Sequence, residues 1–456
     1  MKKNILGLFV LVLILNACHS GKKIKDPIIT VKTNTQEITV LYNEQPFPWK
    51  ISNDNLSFPY TKDGSKIGFI TDRDTIILNL LPNDSIKLNF IIREIDTIQA
   101  IAIGQSKLVD YTSEYKNKYK GKYQVLAPEV HELVNICIAL TDIGQKDSNM
   151  VFMNSDYYQK VMNHFSKFKN LNIIDKLNEN ITEIFGTETY DYYYNIRMNA
   201  CMYSFDNNKI VNHSPYNRLS FGSGNSLNEL LPLLESFAKK SNFKQFYESN
   251  IDYYNSLITT YHELVPVNKM WKWLEKKFPQ KYDSYKIYFS PLIGGAHSTK
   301  SFLEGSFKET IMFVDAPIFI DQYTSKEKEA ILARIIFTEI DHNYVNPITD
   351  GFSEVGNLLT PLDCWNDGTQ GYNNSYSTFN EYMTYTIFTL YLYDNFEKDI
   401  FEKRNEVETN FMVDNRGFIK YKEFNQFVLD WYLSNPSKVL SELYPEIIKW
   451  IKKEKC

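Results

Sequence analysis

Short runs of β-forming residues, separated by turn residues, occupy the chain from residue 26 to about residue 107. Isoleucine, valine, leucine and threonine dominate these runs, as is typical of strands in a small packed sheet. The predicted strands are residues 28–31, 37–41, 66–70, 75–79 and 85–92. Residues 46–48, 63–64 and 83–84 are predicted turns. The pattern predicts a small β module, a sandwich or a barrel, which serves as a spacer or binds a ligand.

After residue 128 the apolar positions follow a helical period. The polar segment at residues 111–122 interrupts the pattern and is the predicted boundary between two domains. Helices are predicted at residues 128–140, 157–168, 172–184, 191–205, 226–239, 243–264 and 268–277, and strands at 285–289 and 310–314. The predicted fold class is α+β. A tether and β-rich module occupy residues 18–110, and a mainly helical domain occupies residues 120–456.

The strongest helix prediction in the chain starts at Ser325 and runs to Pro347. Thr324 and Glu327 have the spacing of a capping box, in which each side chain bonds the other residue's backbone. Residues 326–343 contain neither glycine nor proline, so nothing interrupts the helix. Apolar residues cover more than one stripe of its surface, which indicates a helix that is buried on most sides.

This helix carries the sequence Thr338-Glu339-Ile340-Asp341-His342 near its end. It is the H-E-x-x-H pattern of zinc proteases with threonine in place of the first histidine. Residues four apart share a helix face, so two histidines there can hold one zinc ion. The glutamate beside them takes a proton from the metal-bound water. Glu339 and His342 stand at the base and second-ligand positions, but the Thr338 hydroxyl is a poor zinc ligand.

Further candidates lie outside this motif. Glu381 lies in a predicted helix on an otherwise mostly apolar face, and a buried carboxylate needs a partner such as a metal, a histidine or a hydroxyl. Glu381 is the candidate third zinc ligand; otherwise it caps the helix or pairs near its start. His297, in a glycine-rich turn, is a candidate replacement ligand, and Asp341 is a weaker one because it points away from His342 in a regular helix.

The N-terminus has the features of an exported lipoprotein. Lys2 and Lys3 precede an apolar stretch, residues 5–15, that is too short to span a membrane. Residues 15–18, Leu-Asn-Ala-Cys, resemble a bacterial lipobox. The sequence therefore predicts a signal peptide at residues 1–17, lipidation of Cys18, and a protein anchored to a membrane of the bacterial cell envelope by lipid.

Composition excludes some classes of partner and site. The net charge is −5 and no basic stripe is present, which argues against a nucleic-acid partner. The cysteines beyond Cys18 lack C-x-x-C spacing, so a cysteine zinc site is not predicted. An exported protein can carry a disulfide, but the spacing assigns none.

Five short motifs in a fixed order resemble an uncharacterised domain family of bacterial lipoproteins with gluzincin-type metallopeptidase features. The motifs are residues 128–134, Ser290-Pro291-Leu292, Glu339-x-x-His342 with Val345-Asn346-Pro347, Phe379-Asn380-Glu381-Tyr382, and Arg416-Gly417-Phe418. The resemblance implies a zincin-like fold from about residue 128 to the end. It implies that Glu339 is a general base and that His342 and Glu381 bind zinc. Thr338 departs from the family pattern, which puts zinc binding and proteolysis in question together.

Three functions remain open at the level of sequence. The first is a non-catalytic, lipid-anchored zincin-like protein that binds a peptide or a glycan in its cleft. The second is an active zinc metallopeptidase with an altered ligand set, such as His342 and Glu381 with His297 or Asp341. The third is a purely structural envelope lipoprotein.

Overall fold

The computed structural model describes residues 28–58, 65–81, 84–104, 107–181, 188–221, 225–318, 323–368 and 371–454. The chain divides into two compact units, Met1–Asp110 and Tyr111–Cys456. The first unit is built from strands and the second mainly from helices, so the protein is α+β, as predicted. Cys18 and the predicted signal peptide lie outside the described residues. None of the described helices is long and apolar enough to cross a membrane.

The first unit contains two four-stranded sheets, with strand orders β1-β7-β8-β4 and β3-β2-β5-β6. Their strands are β1 (Ile28–Thr33), β2 (Glu37–Tyr42), β3 (Gln45–Lys50), β4 (Leu56–Phe58), β5 (Ser65–Ile70), β6 (Thr75–Leu80), β7 (Ser85–Ile92) and β8 (Asp96–Gly104). Alternate residues of both sheets, such as Val40, Phe69, Leu88 and Phe90, form one buried apolar cluster. The five predicted strands are all present.

One predicted turn in this unit is wrong. Residues 46–48 lie inside strand β3, which pairs with β2 alone at the edge of its sheet. Pro46 and Pro48 lie two residues apart, opposite Leu41 and Thr39. A proline without an N–H is tolerated at such an edge because its nitrogen can face away from the neighbouring strand.

The second unit surrounds a four-stranded sheet with the order β13-β14-β12-β9. Its strands are β9 (Lys122–Leu126), β12 (Ser284–Phe289), β13 (Ser298–Glu304) and β14 (Phe307–Val314), and β10 (Tyr203–Asp206) and β11 (Lys209–Asn212) form a separate hairpin. Strand β12 is buried along its whole length between parallel neighbours. Strand β13 runs antiparallel to β14 and is an edge strand.

Fourteen helices complete the described part of this unit. They are α1 (Ser113–Tyr119), α2 (Glu129–Ala139), α3 (Asp156–Phe165), α4 (Asn172–Asn180), α5 (Glu188–Ala200), α6 (Leu231–Lys240), α7 (Phe243–Ser249), α8 (Ile251–Leu264), α9 (Val267–Lys277), α10 (Ser325–Thr349), α11 (Ser375–Asn395), α12 (Lys398–Asn410), α13 (Tyr421–Ser434) and α14 (Tyr444–Lys453). The helix predicted at residues 243–264 is two helices that meet at Asn250. Pro232 lies in the first turn of α6, where its missing N–H costs little, rather than at a kink.

Helix α10 is the central element of this unit, and its capping box between Thr324 and Glu327 is present as predicted. The helix continues past Pro347 to Thr349. Pro347 has no N–H to donate to the carbonyl of Asn343, one turn earlier. The hydroxyl of Tyr282 donates to that carbonyl instead, so a side chain outside the helix supplies the missing bond.

Candidate functional site

A cavity of about 760 Å³ lies beside the C-terminal half of α10. Its lining includes Thr338, Glu339 and His342 from α10 and Glu381 from α11. Residues three and four apart on α10 share a face, so the helix presents its motif residues together. The three residues that the sequence predicted as base and ligands therefore converge on one cavity.

His342 and Glu381 are in contact across the two helices. His342 Nε2 lies 3.4 Å from Glu381 Oε1. The other ring nitrogen lies 3.3 Å from Asn346 Oδ1 and 3.4 Å from the Thr384 hydroxyl. The imidazole is therefore held at both nitrogens, with one edge toward the carboxylate.

Glu381 has a second partner that the sequence did not predict for it. Arg416 Nη1 donates to Glu381 Oε2 at 2.6 Å and to the Tyr372 hydroxyl at 2.8 Å. Helix α12 ends in a π-helical turn, Phe411–Asn415, and Arg416 follows directly. Gly417 has a positive φ of 68°, and a Cβ there would collide with the Asp367 carboxylate. Glycine is therefore required in the turn that positions the guanidinium.

These contacts determine the charge states of Glu381 and His342. Burial raises the pKa of Glu381, but the charge of Arg416 and the His342 hydrogen bond outweigh it, and the pKa is lowered. Burial lowers the pKa of His342, but the hydrogen bond and charge of Glu381 outweigh it, and the pKa is raised. The arrangement favours an ionised Glu381 between two cationic partners.

Glu339 has a different environment. Among the described residues none donates a hydrogen bond to its carboxylate, while its backbone carbonyl accepts one from Asn343 Nδ2 at 3.0 Å. Burial raises the pKa of Glu339 to about 7, opposed by the charge of His342 and increased by that of Glu381. Glu339 is thus a carboxyl group in the cavity wall with its oxygens available to a ligand.

The residues present do not make a catalytic zinc site, which needs three protein ligands. The Thr338 hydroxyl donates to the carbonyl of Ile335 at 3.1 Å, so it is turned toward its own helix. Glu381 is already bonded to the Arg416 guanidinium. No group of three or more histidine, cysteine, aspartate or glutamate residues that could hold a metal is present in the described parts of the chain.

The two replacement ligands considered from sequence make no described contact with the side chain of His342 or Glu381. His297 lines the cavity, and its Nε2 lies 3.7 Å from Asp315 Oδ1. Asp341 is fully buried within the helix packing and does not line the cavity. Neither residue joins His342 and Glu381 in a ligand set.

Arginine and aromatic side chains form the rest of the cavity wall. Arg334 Nη1 lies 3.5 Å from the Tyr385 hydroxyl, and Arg334 Nε lies 3.7 Å from a carboxylate oxygen of Glu408. The Arg416 guanidinium lies 4.9 Å from the centre of the Tyr385 ring. Sequence reasoning gave neither arginine a role in the site, although Arg416 belongs to one of the five motifs, because nothing in their local sequence indicates that they meet.

Two other His-Glu pairs, His131-Glu132 and His262-Glu263, lack the second histidine of the zinc motif. His131 and Glu132 are fully buried in α2, whereas His262 and Glu263 are exposed on α8. Tyr157 donates a hydrogen bond to Glu132 Oε1 at 2.7 Å. One pair therefore belongs to the core around its helix and the other to a helix surface.

Comparisons of the chain with protein-family models, with curated proteins and with solved structures found no match.

Proposed function

We propose that this protein is a lipid-anchored protein of the bacterial cell envelope with a degenerate zincin-like domain, and that its cleft binds a peptide or a glycan without cleaving it. The observation that carries the proposal is the contact between Arg416 and Glu381. In a zinc site the metal ion neutralises the charge of a carboxylate ligand. Here the guanidinium of Arg416 neutralises the Glu381 carboxylate instead.

Chemistry at the motif supports binding rather than hydrolysis. Zinc hydrolases use the ion to lower the pKa of a bound water molecule and to polarise the scissile carbonyl. With Thr338 turned to the Ile335 carbonyl, only His342 and Glu381 remain at ligand positions. Glu339 still faces the cavity, where it can accept a hydrogen bond from a ligand's N–H or O–H group.

The edge strand supports a peptide over a glycan. Ser298 and Thr299, at the start of β13, line the cavity. On the described chain β13 pairs with β14 alone, so its outer edge has backbone N–H and C=O groups available. An extended peptide can add to such an edge as a further strand.

The proposed export rests on Cys18 and the apolar stretch before it. Cys364 is disulfide-bonded, while Cys137 and Cys201 are buried as free thiols. A disulfide is common in exported proteins and rare in the cytosol, so it supports the proposed location.

Metal content tests the non-catalytic proposal. The soluble form that starts near Gly21 is purified without chelators, supplied with zinc and dialysed, beside a His342→Ala variant. We expect no bound zinc in either form. About one zinc per chain, lost in the variant, would contradict the proposal and support an active metallopeptidase with an altered ligand set. Peptide hydrolysis abolished by Glu339→Gln would then establish the alternative.

A further inference from the structure

We propose that the ligand of the cleft is a peptide that presents a carboxylate group, and that Arg334 and Arg416 bind this carboxylate. The inference rests on the proposed binding function and names the chemistry of the ligand. It is carried by two guanidinium groups that line the same cavity and have N–H groups left over after their protein contacts.

Arg416 uses only part of its hydrogen-bonding capacity within the protein. Its Nη1 donates to Glu381 and Tyr372. Within the described residues Nε and Nη2 have no hydrogen-bond partner, and neither atom is among the fully buried ones. The Arg416 side chain lines the cavity. A guanidinium presents five donors in a planar fork that matches a carboxylate. Glu381 therefore holds one edge of the group and leaves the other available.

Arg334 is arranged in a similar way on the neighbouring helix. Glu408 lies on the side of its Nε, and Tyr385 on the side of its Nη1. Nη2 has no hydrogen-bond partner among the described residues and is not enclosed. The Phe411 ring centre lies 5.1 Å from Arg334 and 5.7 Å from Arg416. Both guanidinium groups therefore lie beside the same aromatic ring.

The remaining carboxylates restrict where the ligand can bind. Glu339 and Asp315 also line the cavity, and they repel an anion placed beside them. Glu381 and Glu408 each already lie against an arginine. An incoming carboxylate is therefore favoured where it bonds the remaining N–H groups of Arg334 and Arg416 directly.

Strand direction indicates which end of a peptide reaches the arginines. Strand β13 begins at Ser298, in the cavity wall, and ends away from it at Glu304. A peptide that pairs antiparallel with β13 has its C-terminal end beside Ser298. The carboxylate is then supplied by the peptide's C-terminus or by an aspartate or glutamate side chain near it.

The test uses two matched pools of random octapeptides, one with a free C-terminal carboxylate and one with a C-terminal amide. The full chain, purified in mild detergent and immobilised, is offered both pools, and bound peptides are counted by mass spectrometry. We expect about tenfold more of the free-acid pool to be retained, the factor that corresponds to one charge-assisted hydrogen-bonded pair. Amidated peptides that are retained through Asp or Glu near their ends would identify the side chain as the source.

Two variants tie the preference to the arginines. In Arg416→Lys and in Arg334→Lys the charge stays but the planar fork is lost, so the preference for carboxylate should fall below that of the wild type in each variant. Arg73→Lys, in the β unit, is the matched control and should keep the preference. Circular dichroism of each purified variant checks that it is folded.

The outcomes separate this inference from the proposed function. Equal retention of acid and amide pools, with no enrichment of acidic side chains, would overturn the carboxylate inference and leave peptide binding intact. Retention of envelope glycan fragments with neither peptide pool bound would also overturn it. No retention of peptide or glycan would contradict the proposed function itself.

Discussion

Thr338 is the single residue that separates the motif on α10 from a complete zinc-binding pattern. It lies four residues before His342, so an imidazole at its position would share the helix face that lines the cavity. We predict that Thr338→His gains about one zinc per chain, held with His342 and with Glu381 Oε1, which faces His342 while Arg416 bonds Oε2. Three protein ligands suffice for such a site. Metal analysis after dialysis measures the gain.

Thr338→Ala is the control for loss of the threonine itself and should bind no zinc. A Thr338→His variant that folds but retains no metal would show that side chains on this face of α10 and the Glu381 carboxylate cannot reach the same metal ion. The proposed descent from a zinc site would then lose its main support.

Glu132 gives the stability of the protein a specific dependence on pH. Burial raises its pKa to about 7 from an ordinary value of 4.5, opposed by hydrogen bonds from Tyr157 and Ser290. Between pH 4.5 and about pH 7 the carboxyl group of Glu132 is therefore protonated in the folded protein and ionised in the unfolded chain. Stability contributed by the neutral group is present below about pH 4.5 and is lost as the pH rises through about 7.

We predict that Glu132→Gln removes this loss, which is about 3 kcal/mol for the full shift. Urea unfolding of wild type and variant at pH 5 and pH 8 measures it: the variant's stability should fall less between the two values. Glu263→Gln, in the exposed His-Glu pair, is the control. Equal pH dependence in wild type and Glu132→Gln would refute the assignment.

The sequence could predict which residues of α10 and α11 line the site, but it could not predict how they are charged. Glu339, His342 and Glu381 follow from helical spacing and from the cost of burying a carboxylate without a partner. Arg416 lies 35 residues after Glu381, beyond a π-helical turn. Its position depends on how that turn closes on the cavity, and no local pattern encodes such a contact.

At the scale of helices and strands, α10 depends on a hydrogen bond that comes from a residue outside the helix. Pro347 leaves the Asn343 carbonyl without a helical donor, and Tyr282, just before β12, supplies one. We predict that Tyr282→Phe costs roughly 1–3 kcal/mol, the range for a buried polar group left without a partner. The cost should be near zero in a Pro347→Ala background, where the helix regains its own N–H.

A double-mutant cycle by urea denaturation measures this coupling. An equal cost of Tyr282→Phe in both backgrounds would mean that the hydroxyl stabilises the fold in some other way. Phe replaces Tyr with the ring intact, so the cycle isolates the hydrogen bond from the packing of the ring against Tyr344.

Elements with strong local signals were predictable, and elements that depend on their neighbours were not. Helix α10 could be predicted from its capping box and its uninterrupted apolar surface. Strand β3 was missed because prolines usually mark turns and are accepted here only at a sheet edge. Strand β13 was missed because Ser298–Glu304 is mostly polar, and pairing with β14 decides its conformation.

At the scale of the whole molecule, the predicted anchor decides where the cleft is displayed. We predict that cells expressing the full chain incorporate labelled palmitate into it, and that Cys18→Ser abolishes the label because only this cysteine follows the lipobox. Immunoprecipitation and autoradiography measure incorporation. Cys201→Ser, at a free thiol, is the control and should be labelled like wild type; label that persists in Cys18→Ser would refute the predicted lipidation site.

The π-helical turn at Phe411–Asn415 allows the segment before Arg416 to differ in length without a change in the cleft. A π turn holds one residue more than the α-helical path it replaces. Deletion of one residue within the turn would therefore restore a regular α-helix, while the residues on either side keep their positions. Arg416 would remain beside Glu381.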